Sequence, residues 1–241
     1  MLWTTALKFN TLLFFRLTSL WENVMHKFNA ICCILLLAGC STTPQTFITD
    51  IQPEIHEIPI KSTILFEQSN DATWNDLLTM FSQSEFRIER INMNTHQVTL
   101  RYSGRPDLYV DCGKKKINTK GNELIFLNAK RLYNYRAYQY IHLETYYIKN
   151  NFTGYIKLLS SGDDLSSQVV AQFDYELGTN IKKTTTRGSK FSTNQHETLN
   201  FNSFKSKRSE LFKTNCRPTG KLEAQVLEMI LKMHEEKPLL R

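Results

Sequence analysis

Glycine is scarce in this chain, with nine among 241 residues. Loops that cradle phosphate need closely spaced glycines so that backbone N–H groups can approach the ligand. No such spacing occurs, which disfavours a loop-built nucleotide site. Gly-x-Ser-x-Gly and His-Glu-x-x-His are also absent. His56, His96, His142, His196 and His234 stand singly in stretches read as tether, turn, strand, loop and helix. An enzyme needs a nucleophile–base or acid–base constellation, and none is legible, so no catalytic residue and no cofactor is expected. Asp163 and Asp164 are adjacent, but no loop of regularly spaced oxygen ligands surrounds them, so no metal site is expected. No aromatic-basic motif supports nucleic-acid binding.

Cysteines are fewer still, and their placement is informative. Of five, Cys32 and Cys33 lie in an apolar run from Ala30 to Ala38, and Cys40 closes it as Leu37-Ala38-Gly39-Cys40. Lys27 precedes the run. A charged start, about 7–15 apolar residues and small residues at the cut describe a secretory signal peptide. The competing readings are a buried apolar helix and an uncleaved anchor, and the run is shorter than the roughly 20 residues that a spanning helix needs, which weighs against the anchor. Met25-His26-Lys27 reads as the genuine start, leaving residues 1–24 as upstream sequence. The alternative is that Leu2–Trp21 inserts as a further helix, and Arg16 in its middle argues against that.

Leu37-Ala38-Gly39-Cys40 resembles the lipobox of bacterial lipoproteins. The resemblance implies removal of residues 25–39, palmitate and related lipid on Cys40, and a mature chain beginning there. Ser41 in second place is what a sorting rule of that family associates with the outer membrane, with the domain in the periplasm. Residues 40–60, with Pro44, Pro53 and Pro59, read as a flexible extended tether. Residues 61–241 read as a single α+β domain of the size expected for one core.

The whole chain carries +7, and its first 39 residues hold three basic and one acidic side chain, which leaves +5 from Cys40 onward. Such an excess suits attraction to anionic head groups. Lys114-Lys115-Lys116 is the tightest basic run and reads as part of a solvated turn over Gly113–Gly121. Cys112 and Cys216 are the two thiols left in the mature chain, and an oxidising compartment favours pairing them. The competing reading, a metal or nucleophile pair, lacks further ligands nearby.

Periodicity places the elements. Trp74, Leu77, Leu78 and Phe81 share one face of a helix over residues 71–81, capped by Asn70 or Asp71. Phe86–Ile91, Gln97–Tyr102 and Leu108–Cys112 read as three strands. Leu132–Ile148 holds six tyrosines and reads as an amphipathic strand. Tyr138, Tyr140, His142, Glu144 and Tyr146 then share one face, either as a binding surface around His142 or as a cover for the sheet. Val169, Ala171, Phe173, Tyr175 and Leu177 alternate strictly with polar residues in the clearest strand of the chain. Residues 179–198 read as a long polar loop or a strand extension, and Leu199–Phe204 as a weak strand. Leu222, Val226, Met229, Ile230 and Met233 form the buried stripe of a final helix.

The expected fold is an α+β, helix-grip-like domain: an antiparallel sheet of about six strands with a short N-terminal helix and a longer C-terminal helix packed on it. Thr73-Trp74, Leu77-Leu78, Phe86–Ile91 and Val98–Tyr102 resemble a repeat of the BamC family of outer-membrane lipoproteins. Tyr109–Gly113 and Cys216–Glu223 are similar to stretches of uncharacterised proteobacterial lipoproteins. Such a resemblance implies a non-enzymatic scaffold or accessory subunit. Its partners would be a membrane, through the lipid anchor, and other envelope proteins, such as the barrel-assembly machinery or a secretion apparatus. The alternative is a module that binds lipid or a cell-wall ligand in a groove between sheet and final helix.

Overall fold

The computed structural model describes residues 47–53, 62–119, 122–139, 142–187 and 189–235. All lie in the second of two units, Thr46–Arg241. Two strands of 21 residues, β9 (His142–Gly162) and β10 (Ser167–Arg187), form its axis. At about 3.3 Å per residue each extends roughly 70 Å. A tight loop joins them, where the Asp163 carboxylate accepts backbone N–H bonds from Leu165 and Ser166 at 2.8 and 2.7 Å.

Each long strand is flanked end to end by two shorter ones. On the outer side of β9, β8 (Leu132–Gln139) pairs with its first part and β4 (Gln97–Gly104) with its second. On the outer side of β10, β2 (Thr63–Phe66) pairs with Ser167–Val170 and β11 (Ser189–Asn202) with the remainder. β3 (Arg87–Asn92) completes a seven-stranded sheet. Two small sheets accompany it. One has the order β1 (Phe47–Ile51), β6 (Lys114–Thr119), β7 (Asn122–Leu127); the other joins β12 (Lys207–Arg208), β13 (Asn215–Pro218) and β5 (Val110–Asp111).

One face of the large sheet is apolar along the part where β4, β9, β10 and β11 lie side by side. Leu100, Ile156, Leu158, Phe173, Leu177 and Leu199 are buried there. Helix α1 (Asn70–Ser82) contributes Trp74, Leu77 and Phe81, and α3 (Lys221–Glu235) contributes Leu222, Val226 and Ile230. Gly154 on β9 makes room for α3: a Cβ there would come 2.5 Å from Leu222 Cδ2. Toward the other end the buried residues mix tyrosine with isoleucine, with Tyr133, Tyr135, Ile148 and Ile181 from the large sheet and Ile117 from the small one.

The helix-grip expectation is overturned. The molecule is mostly β, with three sheets and three helices among the described residues. Its largest sheet has seven strands rather than about six. α3, at 15 residues, is little longer than the 13 of α1, and its main neighbours are α1 and the short helix α2 (Pro106–Tyr109). Part of the cause lies in residues 179–187 and 189–198, which lack apolar alternation yet form strands because they pair with one another. Their backbone groups are satisfied across the ladder, so the strand persists without a local signal.

Other differences have similar causes. Pro106, its φ suited to a first helical turn, opens α2, so the expected strand over Leu108–Cys112 shrinks to Val110–Asp111. The basic run is a central strand instead of a turn. Lys115 pairs with Asp50 of β1 at 3.4 Å and Lys116 with Glu123 of β7 at 2.7 Å. Phe47–Ile51, inside the expected tether, forms β1 against it. The tyrosine tract is a hairpin, not one strand. α1 is capped by Ser69, whose hydroxyl accepts the Ala72 N–H, and not by Asn70 or Asp71.

Candidate functional site

Cys112 and Cys216 are joined by a disulfide across 104 residues of sequence, and both are buried. Asp111 sits opposite Arg217 where β5 meets β13, so the bridge lies directly beside that pairing. Around it runs a belt of buried polar groups. The Cys112 carbonyl accepts from the Thr214 hydroxyl at 2.5 Å and from Asn128 Nδ2 at 3.1 Å. Asn150 of β9 donates from Nδ2 to the carbonyls of Asn128 and Lys130 at 2.8 and 2.7 Å. These bonds tie the loop before β8 and the segment before β13 to the middle of the long strand.

Cys40 and Tyr140 lie outside the described residues. Tyr138 and His142 are placed by backbone register alone: Tyr138 pairs with Leu143, and His142 with Gln139. Directly paired residues share a sheet face. The hairpin therefore gives Tyr138 the face parity of Leu143 and Tyr147, while His142, Glu144 and Tyr146 have the other. The shared face expected for one continuous strand is thus divided between two.

Tyr146 belongs to an aromatic row. Its ring stacks on Tyr135 with centroids 4.6 Å apart and planes 2° from parallel, and Phe126 of β7 stacks on Tyr133 at 5.3 Å. The Tyr146 hydroxyl donates to Glu144 Oε2 at 2.5 Å. Lys183 of β10 holds Glu144 Oε1 at 2.6 Å and lies 5.6 Å from the Tyr146 ring centroid. Burial raises the pKa of the Tyr146 phenol above its usual value, and the bond to Glu144 adds to the shift. Burial likewise raises Tyr133 and Tyr135. The row is a protonated, packed set in which the Tyr146 hydroxyl is engaged by Glu144, while the buried Tyr133 hydroxyl has no hydrogen-bond partner among the described residues. Tyr133, Tyr135, Phe126 and Lys183 belong to no sequence motif. The only signal for the three aromatic residues is the density of such residues around 126–147, and Lys183 has none.

The described surface also carries depressions, among them two of moderate size. One, of about 420 Å³, lies between α1 and α3 and is lined by Asp76, Thr79, Met80, Met229, Lys232 and Met233 among others. A second, of about 570 Å³, lies over β9–β11 beside Tyr155, Asp174, Asn200 and Lys205. The surface of α3 that meets the sheet is closed by Leu222, Val226 and Ile230, all buried. Among the described residues no three His, Cys, Asp or Glu side chains converge as a metal site, and no helix is long and apolar enough to cross a membrane. His96 stacks on Trp74 at 5.4 Å, with Nδ1 2.7 Å from Asn70 Nδ2, in a structural setting. Comparison of the chain with protein-family models, with curated proteins and with solved structures returns no match.

Proposed function

We propose that this chain is a lipid-anchored envelope protein that works by contact, as a non-enzymatic scaffold or accessory subunit in outer-membrane protein assembly or another envelope complex. Cys40 carries the lipid, the outer membrane is the anchoring surface, and the domain stands in the periplasm. The observation that supports contact most directly is β11. Among the described residues its 14-residue ladder is with β10, and Ser192, Asn194, Gln195 and His196 are exposed along it. A strand of that length with an unpaired edge can accept a strand from another chain. The Cys112–Cys216 bridge supports an oxidising compartment. Crosslinking of the membrane-attached protein followed by mass spectrometry tests the reading. Crosslinks from Lys190 or Lys182 to one membrane-protein complex are expected; dispersed crosslinks with no recurring partner would refute it.

A second reading is favoured by the methionine-lined depression between α1 and α3. Met80, Met229 and Met233 offer an adaptable apolar wall, which suits a lipid or other apolar envelope ligand. Lipid that copurifies with the protein without detergent, and is lost in Met229→Lys, would select this reading over the first.

A further inference from the structure

The small sheet of β1, β6 and β7 has two unlike faces. Register sets Ile48, Ile117 and Leu124 in one row and Asp50, Lys115 and Phe126 in the next. Ile117 is 1 % exposed and Phe126 stacks on Tyr133, so the middle of these rows turns into the protein, while Ile48 and Leu124 on either side of Ile117 stay 47 % and 50 % exposed. The alternate rows turn outward. They place Phe47 beside Asn118 and Glu123, Thr49 beside Lys116 and Ile125, and Ile51 beside Lys114 and Leu127. Phe47 is 58 % exposed, Ile125 55 %, Leu127 42 % and Ile51 39 %. Single exposed apolar residues are ordinary, but a contiguous apolar patch rimmed by charge marks an interaction surface.

We propose that this outward face lies on a bilayer. Phe47, Ile51, Ile125 and Leu127 enter the head-group region, and Lys114 and Lys116 face anionic head groups. The inference rests on the lipid-anchor reading above and adds the orientation of the domain. Chain length selects the membrane over other occupants. Cys40 precedes Phe47 by seven residues, so a fully extended chain keeps its sulfur within about 25 Å of β1. A lipid anchored that close holds this sheet, before any other, at high effective concentration beside the bilayer. The chemistry agrees: apolar side chains settle at the acyl boundary, while lysine stems reach past them to the phosphates. Lys116 is shared with Glu123, so Lys114, which is exposed, is the freer contributor.

The test uses the acylated protein in phosphatidylethanolamine–phosphatidylglycerol vesicles whose acyl chains carry bromine, a short-range quencher of tryptophan. The three tryptophans are Trp3, Trp21 and Trp74, so the processed chain holds only the buried Trp74 as background. Phe47→Trp and Ile125→Trp probe the face. Leu65→Trp, at a position 77 % exposed on β2 beside the opposite end of β10, is the control. The added emission is expected to fall by about half at the first two positions and to change little at Leu65→Trp. Equal quenching at all three, or none at the first two, overturns the proposal. So does recovery of the face crosslinked to a second copy or to another protein. Labelled palmitate separates the two levels. An unacylated chain removes the anchor reading and this inference together, whereas an acylated chain with unquenched Phe47→Trp removes the face alone.

Discussion

The Cys112–Cys216 bond sits between two regions that share the same pair of long strands. On one side lie the helices and the aliphatic residues of β4, β9 and β10; on the other lie the small sheet and the aromatic row. The bond fixes the short strand after α2 to the strand before α3, and so holds the C-terminal helix in place. Closing a loop of this length restricts the unfolded chain by at most about 4–5 kcal/mol in the chain-entropy model. The Cys112→Ser/Cys216→Ser double variant is expected to lose a large part of that. Thermal unfolding with and without reductant checks it: the parent should shift and the variant should not. A parent indifferent to reductant would contradict the role given to the bond.

Gly154 and Leu222 form a tight contact between β9 and α3. Gly154→Ala forces the leucine aside in a packed core and is expected to destabilise by about 1–2 kcal/mol. Leu222→Ala should cost about 2–5 kcal/mol by leaving a cavity. The two changes are coupled, because the added methyl partly fills the space that the leucine vacates. Denaturant titration of all four chains should give a double-variant loss smaller than the sum of the single ones. Strict additivity would mean that the helix has shifted.

Lys183 holds the buried Glu144 carboxylate, which also accepts from Tyr146. Lys183→Met removes the cation and leaves the charge buried, with an expected loss of about 1–3 kcal/mol, moderated because Lys183 is partly open to solvent. Pairing it with Glu144→Gln should recover part of the loss, since no buried charge is then stranded. Urea midpoints of the single and double variants decide this. A double variant worse than Lys183→Met alone would overturn it.

Stability should fall at alkaline pH. Burial raises the phenol pKa of Tyr133, Tyr135 and Tyr175, and the nearby Glu223 carboxylate adds to the shift at Tyr175. Below about pH 10 a tyrosine is protonated in the folded and the unfolded chain alike, so the contribution is fully present. Above that the unfolded chain releases protons that the folded chain keeps. Stability then drops by about 1.4 kcal/mol per pH unit for each buried phenol until its folded pKa is passed. Melting temperatures from pH 8 to 12, read beside tyrosinate absorbance, should show unfolding and ionisation arriving together. Smooth ionisation ahead of unfolding would show the phenols to be accessible.

The elements that were legible are those whose periodicity is local. Val169 to Leu177 alternates because one face meets the core, and that pattern is complete within nine residues. Trp74, Leu77 and Phe81 likewise declare α1 within two turns. β6 could not be read in this way. Three consecutive lysines look like solvated loop until Asp50 and Glu123, from elsewhere in the chain, arrive beside them. β7 is apolar on both faces, Leu124-Ile125-Phe126-Leu127, and such a run leaves open which face is covered.

The sequence by itself determined the helix stripes, the strictly alternating strand and the two thiols available for pairing, because each follows from spacing along one segment. Tertiary structure decided the length of β9 and β10, the division of the tyrosine tract into a hairpin and the outward face of the small sheet. Those depend on ladder hydrogen bonds and registers between distant segments, and a one-residue change of register would turn each of these faces over without altering a single local pattern.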